Sequence, residues 1–339
     1  MADIIRELVE EDLYEISKLY DFRKSEPELK WLFSDPYKSE NFNAFVSIND
    51  DNEITGVIGY AKATYSWNDS SNVGVIPMSW KIKDSYKGMA GVLLFKKVMS
   101  LGDFNMAVEG SEMAQNLYSL FKLKQVSKAD VYYKVFNLVD YYKSLKEKGF
   151  LEKVKLLGVL FSTRFINAKK KPVHYEVKLT PYSPGNSSIQ GNQESVFSKV
   201  LSEQYVDWLL NCPVLKTYAF NIIIDKVDYG LCVLYLQKVN GIMRGRIVHL
   251  PNMGINEKIW SSVIDKCLSF FKEKKCCSIT TLAHHKMYHS CFLDSGFKKI
   301  KKHSKPIFIK DINNVLSSVD LKKNWNFQYS EGDKAYRSI

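Results

Sequence analysis

From Val73 to Phe136 the chain runs strand, small-residue turn, helix, strand, helix and strand, and its second half repeats that order. In the first copy a strand ends at Trp80 or Lys81, and a turn containing Lys87, Gly88, Ala90 and Gly91 follows. An apolar helix then runs to about Met99, a second strand ends near Glu109, and a second helix carries Tyr118. An anionic cofactor is suited to the first helix's N-terminus, where backbone N–H groups lack helical partners.

The elements before this stretch read as follows. IIRELVEEDLYEISKLYDF has a helix-period apolar stripe behind a short strand. Trp31, Leu32 and Phe33 fall in a loop closed by Asp35-Pro36. NAFVSIND and DNEITGVIGYAKATYSW form a hairpin about an Asn/Asp turn, with Gly56 and Gly59 permitting close backbone approach or a bulge. LVDYYKSLKEKGF is an amphipathic helix ending at Gly149.

In the second half, SVFSKVLSEQYVDWLLN reads as a helix, and TYAFNIIID with YGLCVLYLQKV as a strand pair around an Asp/Lys turn. GRIVHL is a third strand, and NEKIWSSVIDKCLSFFKEK a helix with Asn256 as its cap. SITTLA is a strand, HHKMYHSCFLDSGF a helix ending at Gly296, and SKPIFIK a final strand. The predicted fold is α/β with a mixed sheet, built as two tandem domains. Residues 1–138 form the first and 196–312 the second. The connector, 139–195, holds a lysine turn (Lys169-Lys170-Lys171) and a Pro/Gly/Ser loop over 181–195. The polar tail, 313–339, is anchored by Trp325 and is expected to pack late or stay partly mobile.

Charge divides along the same line. Residues 1–140 carry 16 Lys+Arg against 21 Asp+Glu, whereas the remainder carries 32 against 16. A basic half suits an anionic partner, or simply attracts the acidic one. The N-terminal MADIIRELVEED has no apolar signal core and no window is apolar enough to span a bilayer, so the expected location is cytoplasmic. The six cysteines, at 212, 232, 267, 276, 277 and 291, lack disulfide or zinc spacing and read as reduced, buried thiols. His285 and His289 are four apart on a helix without an acidic third ligand, so no metal site is expected.

These residues resemble the GCN5-related N-acetyltransferase (GNAT) superfamily, and the likeness covers most of both halves. The superfamily's pyrophosphate loop, Gln/Arg-x-x-Gly-x-Gly/Ala, falls on Lys87, Gly88, Met89, Ala90, Gly91 and Val92. Lys stands at the start, Ala replaces the central Gly, and Val fills the small final position; a second register rests on Gly88 and Gly91. The next helix resembles Asn-x-x-Ala-x-x-Leu-Tyr-x-x-x-Gly-Phe at Ser111, Ala114, Leu117 and Tyr118, with Lys122-Leu123 in place of Gly-Phe. The second copy keeps Gly296-Phe297 but has Phe292 at the tyrosine position, and its loop, LPNMGINEKIW, has only Gly254. KWLFSDPY and the Trp-containing tail look most like tandem members from bacterial surface-polysaccharide pathways.

The resemblance implies an acyl-CoA-dependent N-acyltransferase with one site, in the first half, using acetyl-CoA or another acyl-CoA. Backbone near Trp80, Lys81 and Ile82 would contact pantetheine or the oxyanion, and the turn from Lys87 to Val92 with Ala114 would hold the cofactor. Tyr118 would protonate the leaving thiolate, for which a phenol is matched in basicity. Glu109 is the candidate general base, with His249 and His284 as candidates from the other half. The implied acceptor is an amine, a nucleotide-linked amino sugar, and nucleic acid is not the expected partner. Two other readings stay open: a non-catalytic scaffold of degenerate domains, and a transferase using aminoacyl-tRNA, whose phosphates the basic half would meet.

Overall fold

The structure is a computed structural model describing residues 3–68, 70–86, 89–144, 175–185, 196–251, 257–284, 286–299, 304–321, 323 and 325–331. The helix end at Gly149, the lysine run 169–171, most of the 181–195 loop, Gly254 and Asn256 lie outside them. The first half comprises β1 (Ile4–Glu7), α1 (Leu13–Leu19), α2 (Glu26–Phe33), the short pair β2 (Ser34–Asp35) and β3 (Lys38–Phe42), β4 (Ala44–Ile48), β5 (Ile54–Trp67), β6 (Ser70–Ile82), α3 (Met89–Val98), β7 (Phe104–Val108), α4 (Glu112–Leu120), β8 (Lys124–Val135) and α5 (Leu138–Lys143). Then come β9 (Val177–Pro181), β10 (Phe197–Lys199), α6 (Glu203–Leu210), β11 (Lys216–Ile224), β12 (Val227–Val239), β13 (Ile242–His249), α7 (Glu257–Glu273), β14 (Ser278–Ala283), α8 (Lys286–Asp294), β15 (Lys298–Lys299), β16 (Lys305–Asp311) and β17 (Trp325–Asn326). None of the described helices is long and apolar enough to cross a membrane.

Both halves contribute to one mixed sheet, ordered β1-β4-β5-β6-β7-β16-β8-β14-β13-β12-β11-β9. The halves exchange their last strands. β16, from the second half, lies between β7 and β8, and β8, from the first half, pairs antiparallel with β14. Every strand edge at the junction is thereby hydrogen-bonded, which a pair of separate sheets would leave open.

A second junction lies on one face of the sheet. Trp31 and Trp208 stack with centroids 4.6 Å apart and planes 10° from parallel. Each indole N–H donates to the other tryptophan's carbonyl, at 2.7 and 2.9 Å. The two helices begin alike: the Ser25 and Ser202 side chains accept the amides of Glu28 and Tyr205, and each tryptophan follows six residues after its cap. Trp31-Leu32-Phe33 therefore ends a capped helix and is not loop. Likewise, the expected helix from Ser195 starts only after Ser202, because Ser198 and Lys199 pair with Ser66 and Tyr65 of β5.

The tail departs furthest from expectation. Trp325 and Phe327 have no exposed surface, and Gln328 and Ser330 are buried with them. They join a core formed by α1, α2, α6 and one face of the sheet, including Ile16, Phe33, Ile76, Phe197 and Tyr205. The polar composition of this tail conceals an alternation of Trp325, Phe327 and Tyr329 that faces this core. The six cysteines are free and buried.

Candidate functional site

The site begins with a ladder that stops. β6 and β7 are parallel partners only at Gly74–Phe104 and Val75–Asn105, after which no register joins them and a wedge opens between their C-terminal ends. On its other edge β6 stays paired with β5, but the register jumps from Gly59–Met78 to Val57–Lys81, so Ser79 and Trp80 oppose Ile58 alone. This is a β-bulge, and Ser79 adopts φ +47 there. The bulge reverses the alternation. Ile76 and Met78 face the core under α1 and α2, whereas Trp80 and Ile82, of the same parity, pack on the α3 side.

Trp80 stacks on Phe95 of α3, with centroids 5.3 Å apart and planes 19° from parallel. Its buried indole N–H has no hydrogen-bond acceptor among the described residues. Gly91 lets the start of α3 come this close, since a Cβ there would lie 3.3 Å from Trp80 Cζ2 and 3.5 Å from Ile82 Cγ1. Ala90 is fully buried and Met89, the first residue of α3, is exposed. Val92 follows, half-buried, on the same helix. Lys81 faces away and pairs with Asp84 at 3.4 Å. Lys87 and Gly88 lie outside the described residues.

Across the wedge, Ser111 caps α4 by accepting the amide of Ala114 at 3.3 Å. About two turns later Tyr118 is buried between Phe95 and Phe308, at centroid distances of 5.8 and 5.1 Å. Its hydroxyl lies beneath Gly110: a Cβ on that residue would come 2.9 Å from the Tyr118 oxygen, and φ at Gly110 is +137. Only glycine accommodates both constraints. The helix ends with Lys122 at φ +63 and Leu123 donating its amide to Tyr118 O at 2.8 Å. Lys122 thus takes the left-handed position that Gly296 takes after α8. Glu109, next to Gly110, sits at φ +60; its amide donates to Pro306 O, and its carboxylate is ion-paired with Lys305 of β16. The wedge thus brings together Trp80, Ile82, Gly91, Ala114 and Tyr118 in one cluster of side chains with Phe95, or in direct contact with it; Ala90, buried at the start of α3, is not part of that cluster.

The second half has the same wedge with an occupant. β13 and β14 pair over Arg244–Ser278 to Ile247–Thr281, and β13 is bulged against β12 after Val233–His249. Beyond the bulge, the Gln328 side chain accepts the Leu250 amide and donates to the Leu250 carbonyl, both at 2.6 Å. Gln328 also bridges Ala283 of β14, and Phe327 O accepts the amide of His284. The tail thus enters as a wedge-filling segment, joined to β14 by a single bridge, where the first half leaves the bulged edge facing α3. At the position of Tyr118, Phe292 packs on Tyr132 and Phe297.

The two histidines considered as bases belong to this filled wedge. His284 presents Nδ1 to Trp325 O at 3.2 Å and Nε2 to the Ser127 hydroxyl. A carbonyl only accepts, so Nδ1 carries the proton and Nε2 accepts from Ser127. His249 Nδ1 lies 3.1 Å from Ser330 Oγ. Burial, helped by the charge of Lys199, pushes its pKa down from 6.5 to about 3. Only the neutral ring fits, so its contribution is intact above pH 6.5 and is lost as pH falls from there towards 3. Urea midpoints should therefore drop between pH 7 and pH 5 by the equivalent of roughly 2 kcal/mol from this group, a loss that His249→Gln should largely remove. An equal drop in both proteins would show that His249 is not the acid-sensitive group.

None of the protein-family models and none of the curated proteins matches the sequence. Solved structures do match. The chain is similar to a GCN5-related N-acetyltransferase from Anabaena variabilis, with a TM-score of 0.59 and 11% identity over 92% of this chain and 73% of that one. It is also similar to Saccharomyces cerevisiae N-myristoyltransferase with bound myristoyl-CoA, with a TM-score of 0.58 and 9% identity over 91% of this chain and 79% of that one. The fold is thus that of the acyl-CoA N-acyltransferases. At these identities the likeness speaks for the fold, and the site must argue for itself.

Proposed function

We propose that this protein is an acyl-CoA-dependent N-acyltransferase with a single cofactor site, in the wedge between β6 and β7. The observation that carries this reading is the bulged end of β6 at Ser79–Ile82, unpaired on the edge towards β7 and set against α3 on one side and Tyr118 on the other. A bulge of that kind turns main-chain N–H groups out of the sheet ladder, where they meet a thioester carbonyl and an extended pantetheine amide chain. The start of α3, with Ala90 and Gly91, is the adjoining place for the pyrophosphate.

Transfer then proceeds by attack of a neutral amine on the thioester carbonyl carbon. The oxyanion that forms is met by the N–H at Trp80; the C–S bond breaks, and the sulfur takes the Tyr118 proton. The amine's proton leaves through water to Glu109, whose ion pair with Lys305 fixes the carboxylate at the end of β7. The filled second wedge supports one cofactor per chain, because Gln328 already uses the main-chain groups of Leu250.

The acceptor is an amine, and a nucleotide-linked amino sugar is the candidate. KWLFSDPY and the tail no longer speak for it, since Trp31 and Trp325 serve packing. The basic second half, which suits a diphosphate, is what remains in its favour. Calorimetric titration with acetyl-CoA is the test, and one mole bound per mole of chain is expected. Absence of binding at millimolar acetyl-CoA would end this reading in favour of a scaffold, and two sites would end the single-site part of it. A panel of amines with and without nucleotide diphosphate, scored by thiol release, then tests the acceptor.

A further inference from the structure

We propose that Tyr20 is a positioning residue for acyl transfer, acting through one peptide plane. The inference rests on the acyl-CoA reading of the β6–β7 wedge. Tyr20 ends α1, and its hydroxyl donates to the carbonyl of Ser79, fifty-nine residues away at the bulge. In a trans peptide the carbonyl and the following N–H point in opposite directions. Tyr20 packs on the core that α1 and α2 share with one face of the sheet, whereas α3, Trp80 and Tyr118 belong to the cluster on the other face. A Ser79 carbonyl held towards Tyr20 therefore aims the Trp80 N–H away from it, to the α3 side where the thioester carbonyl would lie.

The strand's own alternation adds a component along the sheet, towards β7. The amide of Lys83 donates to Thr55 O of β5, and Lys81 is the paired partner of Val57. The N–H groups of Ile82 and Trp80 consequently point to the opposite edge of β6, the one that faces β7. Yet at residue 80 the direction is not secured by the ladder, because the bulge interrupts it. Ser79 holds a left-handed backbone, φ +47, that a non-glycine residue adopts only when its surroundings impose it. Tyr20 is the imposing contact. Without it, the 79–80 peptide is released to rotate towards an unstrained conformation, and the N–H leaves the position in which it would meet a developing oxyanion.

Preorganisation of this sort predicts a loss in the carbonyl's polarisation and not in cofactor affinity. The test uses acetyl-CoA labelled with carbon-13 at the thioester carbonyl, bound to the full chain. In the wild type the resonance should move downfield on binding, as a hydrogen bond to the carbonyl oxygen requires. In Tyr20→Phe the affinity should stay within about threefold while the shift falls by half or more, and slow thiol release from bound acetyl-CoA should fall about tenfold. Should Tyr20→Phe not fold, Tyr20→Leu carries the same measurement, since leucine keeps apolar packing at the end of α1, has no hydroxyl to donate, and leaves Ser79 with its left-handed backbone.

An unchanged carbonyl shift in either variant overturns the role of Tyr20 while leaving the acyl-CoA reading intact. Binding to the wild type with no carbonyl shift does the same. Absence of binding to the wild type overturns both, and that result is distinguished by the calorimetry.

Discussion

Gln328→Met should lower the stability of this protein by about 3 kcal/mol, although the substitution keeps the side chain's length and bulk. Gln328 is buried and both ends of its carboxamide bond to the main chain of Leu250, at 2.6 Å each. Methionine leaves a buried N–H and a buried C=O without partners, and each such group costs on the order of 1–3 kcal/mol. Gln328→Ala should cost more, because a cavity adds to the loss. The urea midpoint gives the stability, and amide exchange at Leu250 gives its location: slow in the wild type, fast in the variant. A methionine variant as stable as the wild type would mean that water replaces the carboxamide, so that the second wedge is not closed by the tail. The prediction matters for the proposed function because this closure is the argument for one cofactor site per chain.

The largest expected effect on activity is at Tyr118. Tyr118→Phe should reduce turnover by about 10²–10³ while leaving acetyl-CoA affinity nearly unchanged, because the ring's packing against Phe95 and Phe308 survives the loss of one oxygen. In the proposed mechanism the Tyr118 hydroxyl gives its proton to the leaving thiolate and so removes the thiolate's tendency to return. The pH profile supplies the second readout. If Tyr118 is the acid, the decline of turnover at high pH should be present in the wild type and absent in the variant. Unchanged turnover in a folded Tyr118→Phe would remove the tyrosine from the mechanism and leave protonation to solvent.

Much of this was readable from composition and order. The hairpins appear where Asn/Asp and Asp/Lys turns separate alternating runs, and Asn52, Asp225 and Lys226 take the left-handed backbone that such turns need. The Gly296 helix end also stands where the sequence put it. Trp31 was missed as a helical residue because three large apolar residues before Asp-Pro resemble a loop anchor. The signal lies in the repeat of Ser-Glu-x-x-x-x-Trp at 25–31 and 202–208, a capped helix start ending in tryptophan in each half.

Other features left no local signature. Tyr20 meets Ser79 only because α1 packs across the sheet, and Lys305 meets Glu109 only because β16 crosses into the first half. A bulge is equally silent, since one inserted residue does not disturb composition; it shows itself through the change of face between Met78 and Trp80.

The sequence by itself determined most of the elements and their duplicated order, because turn chemistry, alternation and caps act within a few residues; Ala90 and Gly91, read as part of a turn, instead lie in the first turn of α3. It also determined that the first copy kept the tyrosine and the second did not. Only the tertiary structure decided which wedge is open. That choice depends on a carboxamide at Gln328 reaching the main chain of Leu250, seventy-eight residues away, just as the contact of Tyr20 with the Ser79 carbonyl depends on packing across fifty-nine residues. Such bonds become favourable only once the sheet has brought their partners together and excluded the water that would otherwise satisfy them.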